Sequence, residues 1–258
     1  MNMLGIRINT LKAKLHPTKA ALLQIPGAKE VTWAPELILV PEDMKSEIQA
    51  SDEYQNGLLY FQNPASLLPA YVLDPQQDET ILDLCAAPGS KTTHIAALMQ
   101  NTGGIIANDV QKNRMFKLKA VTELLGAYNV SYSQRRGEFM GERYPEYFDK
   151  ALVDAPCSMG EDLKSKKIDM LRKRQFGLLR SAIQATAPEG TIVYSTCTQH
   201  PKENQGVITD ILKKVNDIKV VLIEIEGIPI EWLTPEGFIS IPGDDTFEPF
   251  FVAKLIKK

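Results

Sequence analysis

Short apolar runs alternate along this chain with longer stretches in which apolar residues return every third or fourth position. The runs read as strands and the stretches as helices. Strands are predicted at 80–84, 104–108, near Val130, at 151–153 and at 191–194. Helices are predicted at 67–73, 92–99, 112–125, 171–187 and 202–214. Asp74-Pro75 ends the first of these, because a residue before proline leaves the helical region. Alternation of this kind predicts an α/β, Rossmann-like fold whose mostly parallel sheet carries helices on both faces.

Ahead of it, residues 6–11 alternate as a short strand, 17–23 read as a helix and 37–40 as a second strand. Residues 1–62 are expected to form a small α+β segment for RNA binding and packing, too small for a core of its own, packed on a catalytic domain of residues 63–258. No repeat or low-complexity stretch interrupts either part.

Composition narrows the class. At 258 residues and 44% hydrophobic content the chain can bury a sizeable core. No apolar run approaches the roughly 20 residues that span a bilayer, and residues 1–10 lack the layout of a signal peptide. Three cysteines, an odd number, argue against a disulfide scaffold and for a reducing, cytoplasmic setting. The net charge of −3 excludes a globally basic nucleic-acid binder, though a local basic face remains open. Basic clusters stand at Arg7, Lys12, Lys14 and Lys19, at Arg135 and Arg136, and at Lys164, Lys166, Lys167, Arg172, Lys173 and Arg174. Each alone reads as a solvated face. The last is favoured as an RNA surface because it follows the loop of Cys157.

Candidate chemistry collects at strand ends. Asp154-Ala155-Pro156-Cys157-Ser158 follows one predicted strand and Ser195-Thr196-Cys197-Thr198 follows another. Loops leaving the carboxyl ends of parallel strands line the ligand crevice, so two thiols and a carboxylate are expected at one cleft. A third strand opens into the small-residue turn Cys85-Ala86-Ala87-Pro88-Gly89-Ser90-Lys91, where backbone and helix amides can approach a ligand. The turn is not G-x-G-x-x-G, which disfavours a dinucleotide. Asp109, ending the next strand, is placed for ribose hydroxyls or for capping the following helix. No C-x-x-C occurs, which disfavours a redox thiol enzyme, and His16, His94 and His200 show no metal-ligand spacing. Cys85 continues a strand and reads as a small buried hydrophobe. Cys157 and Cys197, in loops beside Ser and Thr, read as functional, and spacing alone does not say which attacks.

Gln62-Asn63-Pro64-Ala65-Ser66, Asp83 to Lys91, Asp109, Asp154 to Ser158, Ser195 to Thr198 and Pro201-Lys202-Glu203-Asn204 follow the order of a known family. Glu248 to Leu255 resembles its last strand. From about Ile6 to Leu255 the chain resembles the Sun/Fmu-type RNA 5-methylcytosine methyltransferases. The resemblance implies a class I S-adenosylmethionine-dependent methyltransferase sheet, with antiparallel edge strands at 219–225 and 250–256. It implies S-adenosylmethionine as cofactor and RNA as substrate. It assigns Cys197 as nucleophile, Cys157 to product release, Asp154 to the cytosine edge, and Lys91 to the neighbourhood of base or cofactor. The cofactor would lie against Cys85, Ala86, Ala87, Pro88, Gly89, Ser90, Lys91, Asp109, Arg114 and Asp154.

Two departures stand out. Ser90 replaces a family glycine, and the stretch 133–138 lacks the usual adenine-contacting Asp, leaving Gln134 or Glu138 as stand-ins. Compact members of the family act on transfer RNA in archaea. A monomeric tRNA methyltransferase is therefore expected, with an rRNA enzyme or a catalytically silent RNA- or cofactor-binding homologue as alternatives.

Overall fold

The computed structural model describes residues 2–159 and 164–258. Strands β1 (Met3–Ile8), β2 (Lys29–Glu30), β3 (Leu37–Pro41) and β4 (Leu59–Phe61) form an antiparallel sheet in the order β2-β3-β1-β4. Helices α1 (Leu15–Leu22), α2 (Lys45–Ala50) and α3 (Asp52–Gln55) accompany it. Ile38 and Val40 bury with Ile6 and Ile8 in a small cluster, while Leu37 and Leu39 turn to the main core. Period-two alternation along β3 thus sends one face to each core. The first strand lies three residues earlier than its pattern suggested. Asn9 leaves the strand to donate to the carbonyls of Gly57 and Leu125, both at 2.8 Å. The elements β2, α2, α3 and β4 carry too few buried residues to register as periodic.

The larger sheet contains β5 (Thr80–Asp83), β6 (Gly104–Asn108), β7 (Val130–Ser133), β8 (Phe148–Asp154) and β9 (Thr186–Thr196). It is completed by β10 (Ile218–Val221), β11 (Ile239–Ile241) and β12 (Phe250–Lys257). The order is β10-β12-β9-β8-β5-β6-β7, with β11 paired to β12. The strands from β5 to β9 pair in parallel; β12 runs antiparallel to β9, and β10 and β11 antiparallel to β12. Helices α4 (Leu68–Leu73), α5 (Ser90–Leu98), α6 (Lys112–Leu125), α7 (Met140–Arg143), α8 (Ser165–Ala185) and α9 (Gln205–Lys214) complete the chain. Ile81, Leu152 and Val193 face one core, whereas Leu82, Val153 and Ile192 face the other beneath α8 and α9. Two buried faces explain why these strands read as continuous apolar runs.

Helix α8 begins six residues before its expected start, because Ser165–Met170 buries only Ile168 amid exposed polar side chains. Strand order reverses between β5 and β8, whose carboxyl ends open the crevice expected of such sheets. Among the described residues, no helix is long and apolar enough to cross a membrane.

Candidate active site

Neighbouring strands bring the two cysteine loops together. Asp154 of β8 pairs in register with Ser195 of β9, and Ser195 Oγ donates to Asp154 Oδ1 at 2.8 Å. The loops then turn so that Cys157 Sγ and Cys197 Sγ lie 3.0 Å apart, both thiols free. Their acidities split. The hydrogen bond with Cys157 lowers the Cys197 pKa, burial and the Asp154 carboxylate oppose it, and the Lys91 ammonium assists. Donating to Cys197, and then burial, push the Cys157 thiol upward. Cys197 is therefore the more acidic thiol of the pair and Cys157 the less acidic. Lys91 is buried, with Nζ donating to Asp154 Oδ2 at 2.7 Å and to Ser66 Oγ at 2.8 Å. It also stands over the Phe250 ring, 5.5 Å from its centre.

A cavity of about 460 Å³ opens beside the thiols, within the range of small-molecule sites. Cys85, Asp109, Arg114, Asp154, Cys157 and Cys197 line it. Ala86, Ala87, Pro88, Gly89, Ser90 and Lys91 are not among its lining residues. Ala86 and Ala87 pack instead on Met115 and Leu118 of α6. Arg114 grips the Ala87 carbonyl and Arg7 the Ser90 carbonyl, so the turn is braced from both sides. Gly89 adopts φ +112°, and a Cβ there would meet Leu118 Cδ1 at 3.0 Å, which explains the glycine.

Asp109 is buried. Its Oδ1 accepts the Gln111 N–H at 2.9 Å and its Oδ2 lies 3.3 Å from Arg114 Nη1. The capping alternative is corrected: the N-cap of α6 is Gln111, and Asp109 forms a turn one step earlier. Of the stretch 133–138, Gly137 lines the cavity, while Gln134 and Glu138 do not. Glu138 turns to Arg136 and Arg174, at 3.7 and 4.0 Å.

Sequence reasoning missed Leu84, Asn108, Val110, Gln111, Gly137, Arg174 and Leu178, all of which line the cavity. Adjacency to Asp109 was a usable signal for Asn108, Val110 and Gln111; the others arrive from separate elements. It also missed Asp83, buried beside Leu84. Thr92 Oγ1 donates to its Oδ2 at 2.7 Å, whereas Oδ1 finds no partner among the described residues. Burial pushes its pKa up to about 7. An acidic residue at the strand end, Asp109, and the apolar Val110 and Leu178 on the same cavity wall fit S-adenosylmethionine, a cationic amino-acid nucleoside.

The basic clusters divide. Arg7 is buried and also donates to Thr93 Oγ1 at 2.8 Å. Lys12 Nζ caps α6 through the Leu124 carbonyl at 2.7 Å, and Lys19 pairs with Glu30 at 2.8 Å. Arg172 pairs with Asp210 at 2.8 Å, whereas Lys164, Lys166, Lys167 and Lys173 are exposed.

Comparison with known proteins gives the family. A family model described as 16S rRNA methyltransferase RsmB/F matches residues 70–256. Ribosomal RNA small subunit methyltransferase F of Klebsiella pneumoniae (strain 342) is 36% identical over 276 residues, covering 98% of this chain and 57% of that protein. The corresponding Aeromonas salmonicida (strain A449) protein is 35% identical over 278 residues, with the same coverage of 98% and 57%. The chain thus spans little more than half the length of these curated relatives. A methyltransferase homolog from Pyrococcus horikoshii superposes with a TM-score of 0.86 at 32% identity, covering 100% of this chain and 87% of that one. NSun6 from the same organism, solved with SFG, shares the fold at a TM-score of 0.85 and 23% identity, with 99% and 91% covered. The strand order, the thiol pair and these matches lead to one conclusion: the chain belongs to the 16S rRNA methyltransferase RsmB/F family, of Sun type, and carries its class I S-adenosylmethionine-dependent methyltransferase fold.

Proposed function

We propose that this chain transfers a methyl group from S-adenosylmethionine to carbon 5 of cytosine in RNA. The observation that carries the reading is the thiol pair, 3.0 Å apart, sharing a cavity wall with Asp154. Carbon 5 of cytosine is a poor nucleophile, and a thiolate adding to carbon 6 makes it enamine-like. Cys197, the more acidic thiol of the pair, is the attacking group. Asp154, fixed by Lys91 and Ser195, meets the cytosine edge and supports proton traffic at N3 as the sulfur adds. The cofactor, when bound, supplies an electrophilic methyl group on a sulfonium centre. After transfer a base removes the carbon-5 proton, the carbon–sulfur bond breaks, and the electron pair returns to Cys197. Cys157 assists that release by directing its S–H at the departing sulfur.

Asp109 holds the cofactor ribose and Arg114 braces the turn above it. Residues 1–62 serve packing, a role supported by Arg7 and Lys12, which are spent on the cofactor turn and on α6. The names of the curated relatives favour ribosomal RNA as the target, and transfer RNA is the second reading. Both RNAs should be incubated with protein and S-adenosylmethionine and then sequenced after bisulfite treatment. A newly protected cytosine in either supports the reading and names the substrate; protection in neither, with the cofactor bound, overturns it.

A further inference from the structure

Two adjacent side chains just before α9, outside the cavity lining, reach the thiol loops from behind. Glu203 is fully buried and accepts three hydrogen bonds. Ser158 Oγ donates to Oε1 at 2.5 Å; the Ser158 N–H and Gln175 Nε2 donate to Oε2 at 3.1 and 2.8 Å. Gln175 Nε2 also donates to the Pro156 carbonyl at 3.0 Å. The loop is therefore pinned on both sides of Cys157, at Pro156 through Gln175 and at Ser158 directly.

Asn204 treats the other loop alike. Its Oδ1 accepts Thr196 Oγ1 at 2.6 Å and its Nδ2 donates to the Thr198 carbonyl at 2.8 Å, pinning both neighbours of Cys197. An Asn at this position ordinarily caps the helix that follows. Here it is the N-cap residue of α9 but makes no side-chain cap bond, its polar atoms being turned to the loop instead. One bridge joins the halves. Ser158 Oγ and Thr198 Oγ1 lie 3.0 Å apart, and with the Ser158 proton on Glu203 the Thr198 hydroxyl donates across.

We propose that Glu203 and Asn204 are positioning residues with separate duties, Glu203 setting the Cys157 loop for product release and Asn204 setting the Cys197 loop for attack. The assignment rests on the thiol roles given above. It predicts opposite phenotypes for neighbouring residues, which a shared structural role does not.

The test uses Glu203→Gln, Asn204→Asp, Ser158→Ala and Cys157→Ala, each with RNA and S-adenosylmethionine. Glu203→Gln keeps the shape but turns a donor toward other donors. It should accumulate a protein–RNA adduct that survives denaturing gels, as Cys157→Ala should, with turnover down roughly tenfold or more. Asn204→Asp sets a carboxylate against the Thr198 carbonyl; it should slow adduct formation by a similar factor and accumulate none. Calorimetric affinity for S-adenosylmethionine should stay within about twofold in both, the scale of a few tenths of a kcal/mol. Ser158→Ala removes only the hydroxyl and should also trap adduct, deciding the matter if Glu203→Gln does not fold. Parent-like turnover in Glu203→Gln, or equal loss of both steps in both variants, overturns the division of duties. No adduct in Cys157→Ala would instead overturn the thiol roles beneath it.

Discussion

Cys157 and Cys197, 40 positions apart in the chain, hold their sulfurs 3.0 Å from one another. Parallel pairing of β8 and β9 makes this possible, since both loops leave the same end of the sheet. The contact also splits the two acidities, because a hydrogen bond from Cys157 favours ionisation of Cys197. Cys197→Ala should abolish methyl transfer and any covalent RNA adduct without unfolding the protein. Cys157→Ala should trap the adduct, and the double variant should show none. The same contact makes a prediction without RNA. Loss of the Cys157 donor should raise the Cys197 pKa, so alkylation of Cys197 followed by mass spectrometry should need higher pH in Cys157→Ala. An unmoved alkylation profile would remove the hydrogen bond as the cause.

Asp109 has one partner on each oxygen, leaving acceptor capacity on both for a ribose. Hydrogen bonds to a charged acceptor contribute about 1.5–3 kcal/mol each. Asp109→Ala should therefore weaken S-adenosylmethionine binding by roughly two orders of magnitude by calorimetry. Unchanged affinity would confine Asp109 to holding Gln111 and Arg114.

Legibility followed punctuation. The strand Gly104–Asn108 and the helix Lys112–Leu125 were read to the residue, since Gly103 and Gly126, both at positive φ, mark their limits. The strand-end residues Asp109, Asp154, Cys157 and Cys197 were legible for the same reason, as topology alone delivers them to one rim. Gly137 and Leu178 were not. They meet across the packing of α8, where a Cβ on Gly137 would lie 2.6 Å from Leu178, and no local pattern records that closeness. Glu203 was visible as a motif letter but not as a clamp, because its donors come from α8 and from the Cys157 loop.

Asp83 should tilt stability with pH. Burial raises its pKa from 3.8 to about 7, so between those values the folded state holds a proton that the unfolded state has lost. Stability is then fully present below pH 3.8 and is lost as pH rises through about 7. A shift of about three units at 1.36 kcal/mol each sets the loss at roughly 4 kcal/mol. Glu36 does not blur the window. Burial opposes its ionisation, yet hydrogen bonds from His94 and Tyr71 hold it at about 2, so its contribution is complete above 4.5. His94, whose pKa burial lowers from 6.5, works with the opposite sign in the same range, so the difference between proteins is what counts. Asp83→Asn should make the melting temperature fall less, or rise more, than in the parent between pH 5 and 7. A parallel course in parent and variant would show that Asp83 does not carry the slope.

The exposed lysines at the start of α8 are the favoured candidate for the RNA surface. An acidic chain that binds RNA needs a localised basic face, and in the N-terminal cluster Arg7, Lys12 and Lys19 make contacts within the protein, leaving Lys14 exposed. Arg172 is paired with Asp210 and Arg174 lines the cavity, which leaves Lys164, Lys166, Lys167 and Lys173 facing solvent. They follow the Cys157 loop, so phosphates flanking a cytosine extruded toward the thiols can reach them; extrusion is required because a stacked base shields carbon 6. Neutralising Lys166, Lys167 and Lys173 together should weaken RNA binding and flatten its dependence on salt, each lost phosphate contact reducing the slope by about one. Cofactor affinity should not move. A salt slope equal to that of the parent would mean that these lysines are solvated only, and the exposed Arg135 and Arg136 beside the cavity would become the next residues to neutralise.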